Sequence, residues 1–145
     1  MHDFPHHYEV TASAGSESYV CLQSEGIEDL ESAGPAQFGG PGDRWSPEAL
    51  LAASVADCFV LSFRAIARAS RFDWTSIRCD VLGVLDRVDK VTQFTRFRED
   101  VVLEVPEGSN EDKAIRLLHK AEHNCLITNS LTAEVELSAR VVVSG

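Results

Sequence analysis

The first 43 residues contain no lysine and no arginine, against eight acids (Asp3, Glu9, Glu17, Glu25, Glu28, Asp29, Glu31 and Asp43). The rest of the chain holds 13 basic and 15 acidic residues, so most of the net charge of −10 sits at the N-terminal end. A surface of this sign repels phosphate backbones and anionic headgroups, which argues against nucleic acid or membrane as a partner. Long apolar runs are also missing. The longest in the central segment is Ala49–Ala53, and Ser54, Asp57, Ser62 and Arg64 interrupt the remainder, a pattern that speaks against a membrane span. The N-terminus lacks a basic region followed by an apolar one, so no signal peptide is expected. There is no internal repeat, no low-complexity tract and no C-x2-C pair. Four cysteines without a signal fit a reducing compartment, and a cytoplasmic location is expected.

The composition itself is that of an ordinary globular protein, 44% apolar and 25% charged over 145 residues. A chain of this length forms about one domain and buries roughly two-thirds of its unfolded surface. A single domain over 1–145 is expected, with residues 1–7, including "HDFPHH", as a mobile tail.

Two short β segments in "YEVTASAGSESYVCLQSE" flank Ala14-Gly15-Ser16 and suggest a hairpin. "ESAGPAQFGGPGDRW" is punctuated by Gly and Pro and reads as a loop. A helix then opens with Ser46 as N-cap, Pro47 at its first position and Glu48 in its first turn. It is expected to run to about Ser70, and its apolar character on more than one face predicts burial on most sides. Two long strands come next. Ile77, Cys79, Val81 and Leu85 share a face of the first; Phe97, Val101, Leu103 and Val105 share a face of the second, with Arg96 and Arg98 opposite. "DRVDK" between them suits an antiparallel hairpin. Pro106 ends the second strand, and Ser109, Glu111 and Asp112 open another helix, with Ala114, Leu117, Leu118 and Ala121 as its stripe. A last strand turns Val135, Leu137, Ala139, Val141 and Val143 inward. The order β-β, long helix, β-β, helix, β predicts an α+β fold, not a parallel βαβ sheet.

Four cysteines bear on chemistry. Cys21 and Cys79 lie within strand patterns and read as structural. Cys58, in "SVADCFVLSF", taken alone reads as core packing in an apolar helix rather than as a reactive thiol. Cys125, in "HNCLITNS", sits where a helical stripe breaks. A thiol at a helix N-terminus has its thiolate stabilised by the dipole, but an apolar plug would occupy the same place. His119, His123 and Cys125 follow H-x3-H-x-C, yet a fourth ligand would have to come from far away. No metal site and no cofactor are expected.

"WSPEALLAASVADCF" and "HNCLITNSL" resemble the two motifs of the OsmC/Ohr family, the osmotically inducible and organic hydroperoxide resistance proteins. The first pairs Pro-Glu with a cysteine ten residues after the glutamate, and the second places another cysteine before the final strand. The resemblance spans almost the whole chain and is strongest over residues 38–64 and 119–131. It implies an OsmC-like fold around a long central helix, in an intertwined homodimer with active sites at the interface. It also implies a thiol peroxidase in which Cys58 attacks an organic hydroperoxide and becomes a sulfenic acid. Cys125 then resolves it as a disulfide, and a dithiol such as dihydrolipoamide reduces that bond.

One part of the family pattern is missing. The peroxidases place an arginine, held by the glutamate matching Glu48, beside the first cysteine, and here no arginine precedes Arg44. An Arg-Phe pair of the OsmC branch corresponds to Gln37-Phe38, where Gln37 can donate a hydrogen bond without charge. Arg44, Arg96 and Arg98 are the remaining candidate cations. Asp57 precedes Cys58, and an ionised carboxylate there would raise the thiol pKa. Ten residues of straight helix separate Glu48 from Cys58 by about 15 Å, so Glu48 helps only through an intermediary, a bend or a partner subunit. Three functions compete. They are a hydroperoxide reductase using Cys58, Cys125 and Glu48, with Arg44 or Gln37 in support; a protein of the same fold without peroxidase activity that binds an apolar or electrophilic small molecule; and a hotdog-like thioesterase, which the two cysteine motifs disfavour.

Overall fold

Asp89 and Lys90 both have positive φ, 49° and 67°. That is the geometry of a two-residue hairpin turn matching the twist of its flanking strands. It joins β4 (Ser76–Val88) to β5 (Val91–Pro106), which pair antiparallel from Val88↔Val91 to Ser76↔Glu104 with an irregularity at Val84/Leu85. A computed structural model of the chain describes residues 1–144. It contains two compact units, Met1–Leu50 and Leu51–Gly145.

The first unit carries a three-stranded antiparallel sheet of β1 (Thr11–Ser13), β2 (Val20–Gln23) and β3 (Leu30–Ser32). The expected hairpin is present, with Ser13 opposite Cys21. The glycine-rich segment after β3 is a loop holding one 3-10 turn, Ala36–Phe38.

Helix α1 spans Pro47–Ala69 and starts as the sequence indicates: the Ala49 amide donates to Ser46 Oγ at 3.0 Å. Its buried residues are Val55, Phe59, Phe63 and Ala67, a single i, i+4 stripe. Burial on most sides, which the apolar sequence suggests, is not found in one chain; Leu61 is half exposed. By length and composition α1 is long and apolar enough to cross a membrane, so its polar interruptions do not exclude a span. Phe59, Phe63 and Ala67 of that stripe are packed into a core with β5 and α2.

Helix α2 (Glu111–His123) opens one residue later than Ser109 predicts. The Asn110 side chain caps it, accepting from the Lys113 amide at 3.0 Å, while Ser109 Oγ donates to the Pro106 carbonyl. All four residues of its stripe, Ala114, Leu117, Leu118 and Ala121, are buried against Phe59, Phe63, Val101, Leu103 and Val105. A one-turn helix α3 (Leu126–Asn129) precedes β6 (Glu134–Ser144).

The expected α+β class holds, with one correction. β6 pairs with β5 in parallel, from Arg96↔Glu134 to Pro106↔Ser144. The 13 residues of α2 return the chain about 20 Å along the sheet, so the next strand runs the same way as β5. A second correction concerns Val143, which the alternation places inward but which is 48% exposed because that alternation slips at Val142.

Candidate functional site

Cys58 sits one helical turn before Ser62 on α1, and its Sγ lies 3.8 Å from Ser62 Oγ. The thiol is partly buried, whereas Asp57 beside it is exposed, so solvent reaches and screens that carboxylate. Cys125 lies just beyond the end of α2 and forms the N-cap of α3. It is fully buried, and its carbonyl accepts from Thr128 Oγ1 at 3.2 Å.

The fold brings Cys58 and Cys125 together across 67 positions of sequence. Burial and interaction with the Cys58 thiol push the Cys125 thiol up, while the Thr128 amide and hydroxyl pull it down. Burial dominates, so the helix-terminus stabilisation that the sequence suggests for the Cys125 thiolate does not prevail. All four cysteines are free thiols.

Two further groups adjoin this pair. Cys79 on β4 is partly buried, and its thiol is pushed up to about 12 by burial, then by Glu99, Asp80 and Cys125. Glu99 on β5 is fully buried, with no hydrogen-bond partner at either carboxylate oxygen. Burial, then Glu122 of α2, raises its pKa to about 7. Sequence reasoning treats Cys79 as structural and passes over Glu99. The available signal is the strand period, because alternation between inward Phe97 and Val101 turns residue 99 inward too.

Of the remaining expected site residues, Glu48 is in the first turn of α1, with Oε1 buried and without a partner. Arg44 pairs with Glu31 and Asp43 at 3.6 Å each, and its guanidinium stacks 4.4 Å from the Tyr19 ring centroid. Gln37 is exposed in the 3-10 turn. Arg96 and Arg98 pair with Glu136 and Asp100 on the sheet face opposite Phe97 and Glu99. His119 and His123 are exposed while Cys125 is interior, so the H-x3-H-x-C residues do not converge.

Known proteins resemble this chain in sequence or in fold. YmaD, an uncharacterized protein of Bacillus subtilis, is 24% identical over 143 residues, covering 95% of each chain. An OsmC-like protein of unknown function from Vibrio cholerae superposes with a TM-score of 0.83 at 19% identity, covering 93% of this chain and 99% of that one. An organic hydroperoxide resistance protein OsmC from Legionella pneumophila superposes with a TM-score of 0.66 at 25% identity, over 92% and 96%. The family model for OsmC-like proteins matches residues 40–140, which include α1, the central strands and both cysteine motifs. With fold and sequence in agreement, this chain belongs to the OsmC-like protein family.

Proposed function

We propose that the protein is a thiol-dependent peroxidase acting on organic hydroperoxides. The observation that carries this reading is the meeting of the Cys58 and Cys125 thiols in one interior site. The Cys58 thiolate attacks the O–O bond; a sulfur–oxygen bond forms, the O–O bond breaks, and the protonated alkoxide leaves as an alcohol. Cys125 then attacks the Cys58 sulfenic acid, forming a disulfide and releasing water. A dithiol such as dihydrolipoamide restores both thiols by exchange. Family membership and the name of the Legionella neighbour support a redox role. The apolar residues around Cys58 on α1 suit a fatty or aromatic hydroperoxide better than hydrogen peroxide.

Glu48, with a buried and unpartnered carboxylate oxygen, is suited to orient a donor beside Cys58 in a homodimer. Gln37 and Arg44 are the candidates for that donor. Arg44 would first have to leave Glu31 and Asp43.

The alternative is a small-molecule binder of the same fold without peroxidase activity. It is favoured by the engagement of Arg44, Arg96 and Arg98 with other carboxylates. Mass spectrometry after one equivalent of cumene hydroperoxide separates the two. The peroxidase gives a Cys58–Cys125 disulfide in wild type and a trappable Cys58 sulfenic acid in Cys125→Ser. Oxidation no faster than that of a free thiol, and unaltered in Cys58→Ser, would leave the binder as the better reading.

A further inference from the structure

Two hydroxyls flank Cys58 on its own helix. Ser54 stands one turn before it and Ser62 one turn after, and the row Ser54, Cys58, Ser62 runs beside the buried row Val55, Phe59, Phe63. Both serines are half-buried. Serine in a helix ordinarily turns its hydroxyl back to a carbonyl three or four residues earlier. Ser54 does so, donating to the Leu51 carbonyl at 2.7 Å, and Ser130, at the end of α3, donates to the Leu126 carbonyl at 2.7 Å. Ser62 departs from that habit. Its Oγ faces the Cys58 sulfur at 3.8 Å, placed for a hydrogen bond in which either atom can be the donor.

The arginines are engaged or placed elsewhere. Arg44, Arg96 and Arg98 are paired with carboxylates. Arg64, the first arginine of α1, lies six residues past Cys58, about 240° round the helix and about 9 Å along it, and is exposed. The sequence marks Ser62 only as an interruption of an apolar run, four residues after the cysteine.

We propose that the Ser62 hydroxyl holds the Cys58 sulfur in its reactive form, as a neutral hydrogen-bond donor. The proposal rests on the peroxidase reading above. It adds a residue already in place within one chain, whereas Gln37 or Arg44 would have to be brought to the sulfur. A hydroxyl both donates and accepts. It accepts from the thiol S–H; when that proton leaves to solvent, the hydroxyl rotates and donates to the thiolate. The thiolate is the nucleophile, and a hydrogen bond to a charged sulfur is stronger than one between neutral groups. Ser62 thereby favours the form that attacks the O–O bond and limits rotation of the sulfur about its side-chain bond. Ser62 keeps its own proton throughout, and the hydroperoxide and the dithiol carry the electrons as before. It is a positioning residue, since it touches the sulfur and not the peroxide.

The test is competitive alkylation of the full chain at pH 7.4 with limiting iodoacetamide, read peptide by peptide in mass spectrometry. Cys21 serves as the reference thiol in the same sample. Ser62→Ala should slow alkylation of Cys58 by about 3- to 30-fold and leave Cys21 unchanged. Alanine is the better helix former, so the change does not weaken α1. Ser62→Thr, which keeps a hydroxyl, should stay within about threefold of wild type. Oxidation of Cys58 by cumene hydroperoxide, trapped with dimedone in a Cys125→Ser background, should fall with Ser62→Ala by the same factor. Alkylation of Cys58 at the wild-type rate in Ser62→Ala, or an equal loss in the Ala and Thr variants, would overturn the proposal. If alkylation falls as expected while the hydroperoxide leaves wild-type Cys58 unoxidised, the hydrogen bond stands and the peroxidase reading fails. A last measurement uses wild type alone. Iodoacetamide is uncharged, so salt acts only on the surroundings of the sulfur. Raising NaCl from about 20 mM to about 0.5 M should not slow Cys58, since a hydroxyl donor is not screened as a cation is. Slowing of several-fold would mean that a cation holds the sulfur, and would rule out Ser62 as its principal donor.

Discussion

At the scale of single residues, Glu99 sets a pH dependence of stability. Its pKa rises from 4.5 in the open chain to about 7 in the fold, burial being the main cause and Glu122 the second. Between those values the unfolded chain has released the proton and the native chain still holds it. The contribution of Glu99 to stability is therefore fullest below about pH 4.5 and is lost as pH rises through 7, by up to about 3 kcal/mol. Urea unfolding of wild type at pH 5 and pH 8 should show that fall, and Glu99→Gln should lack it. Equal pH slopes for the two proteins would mean that the carboxyl is not held from water. Legibility in the sequence is uneven at this scale. Cys58 and Cys125 stand out through their motifs, and the fold joins them. Glu99 is hidden because a lone acid among alternating residues carries no motif, and only a paired sheet says which face is buried. The thiol–dipole argument for Cys125 fails for a similar reason: its burial cannot be read from the neighbouring letters.

At the scale of elements, caps and alternation are the readable signals. Ser46 and Pro47 fix the start of α1, and the apolar stripe fixes the buried face of α2. The direction of β6 is not readable, because strand pairing is a non-local choice settled by the return path of α2. Gly83 shows how tightly the hairpin is packed. A Cβ added there would lie 2.9 Å from Phe97 Cε1 and 3.0 Å from Phe94 Cε1. Those rings stack with centroids 5.1 Å apart, and Phe97 is fully buried, so neither can retreat without moving the other. Gly83→Val is therefore expected to destabilise by about 1–3 kcal/mol, read as a lower urea midpoint at unchanged slope. An unshifted midpoint would show that the stacked pair has room to yield.

At the scale of the whole molecule, α1 raises the question of what covers its outer side. It buries one stripe and leaves Leu61 half exposed, which is unusual economy for a helix so apolar. The homodimer of the peroxidase reading would cover that side with a second copy. Sedimentation at micromolar concentration should give twice the 15.9 kDa chain mass, and Leu61→Glu should weaken association at least tenfold. A wild-type protein sedimenting as a monomer would remove the interface from the peroxidase reading.

Within its sheet β5 is the strand with a neighbour on each side, antiparallel β4 on one and parallel β6 on the other. Its amides are therefore the last in that sheet to meet water during local opening, since both ladders must part first. Glu99 stands on this strand, and Cys79 on the neighbour that shares the longer hairpin. Glu99 is thus held in the slowest-opening part of the sheet, so substitutions that loosen the sheet would open its carboxyl to water.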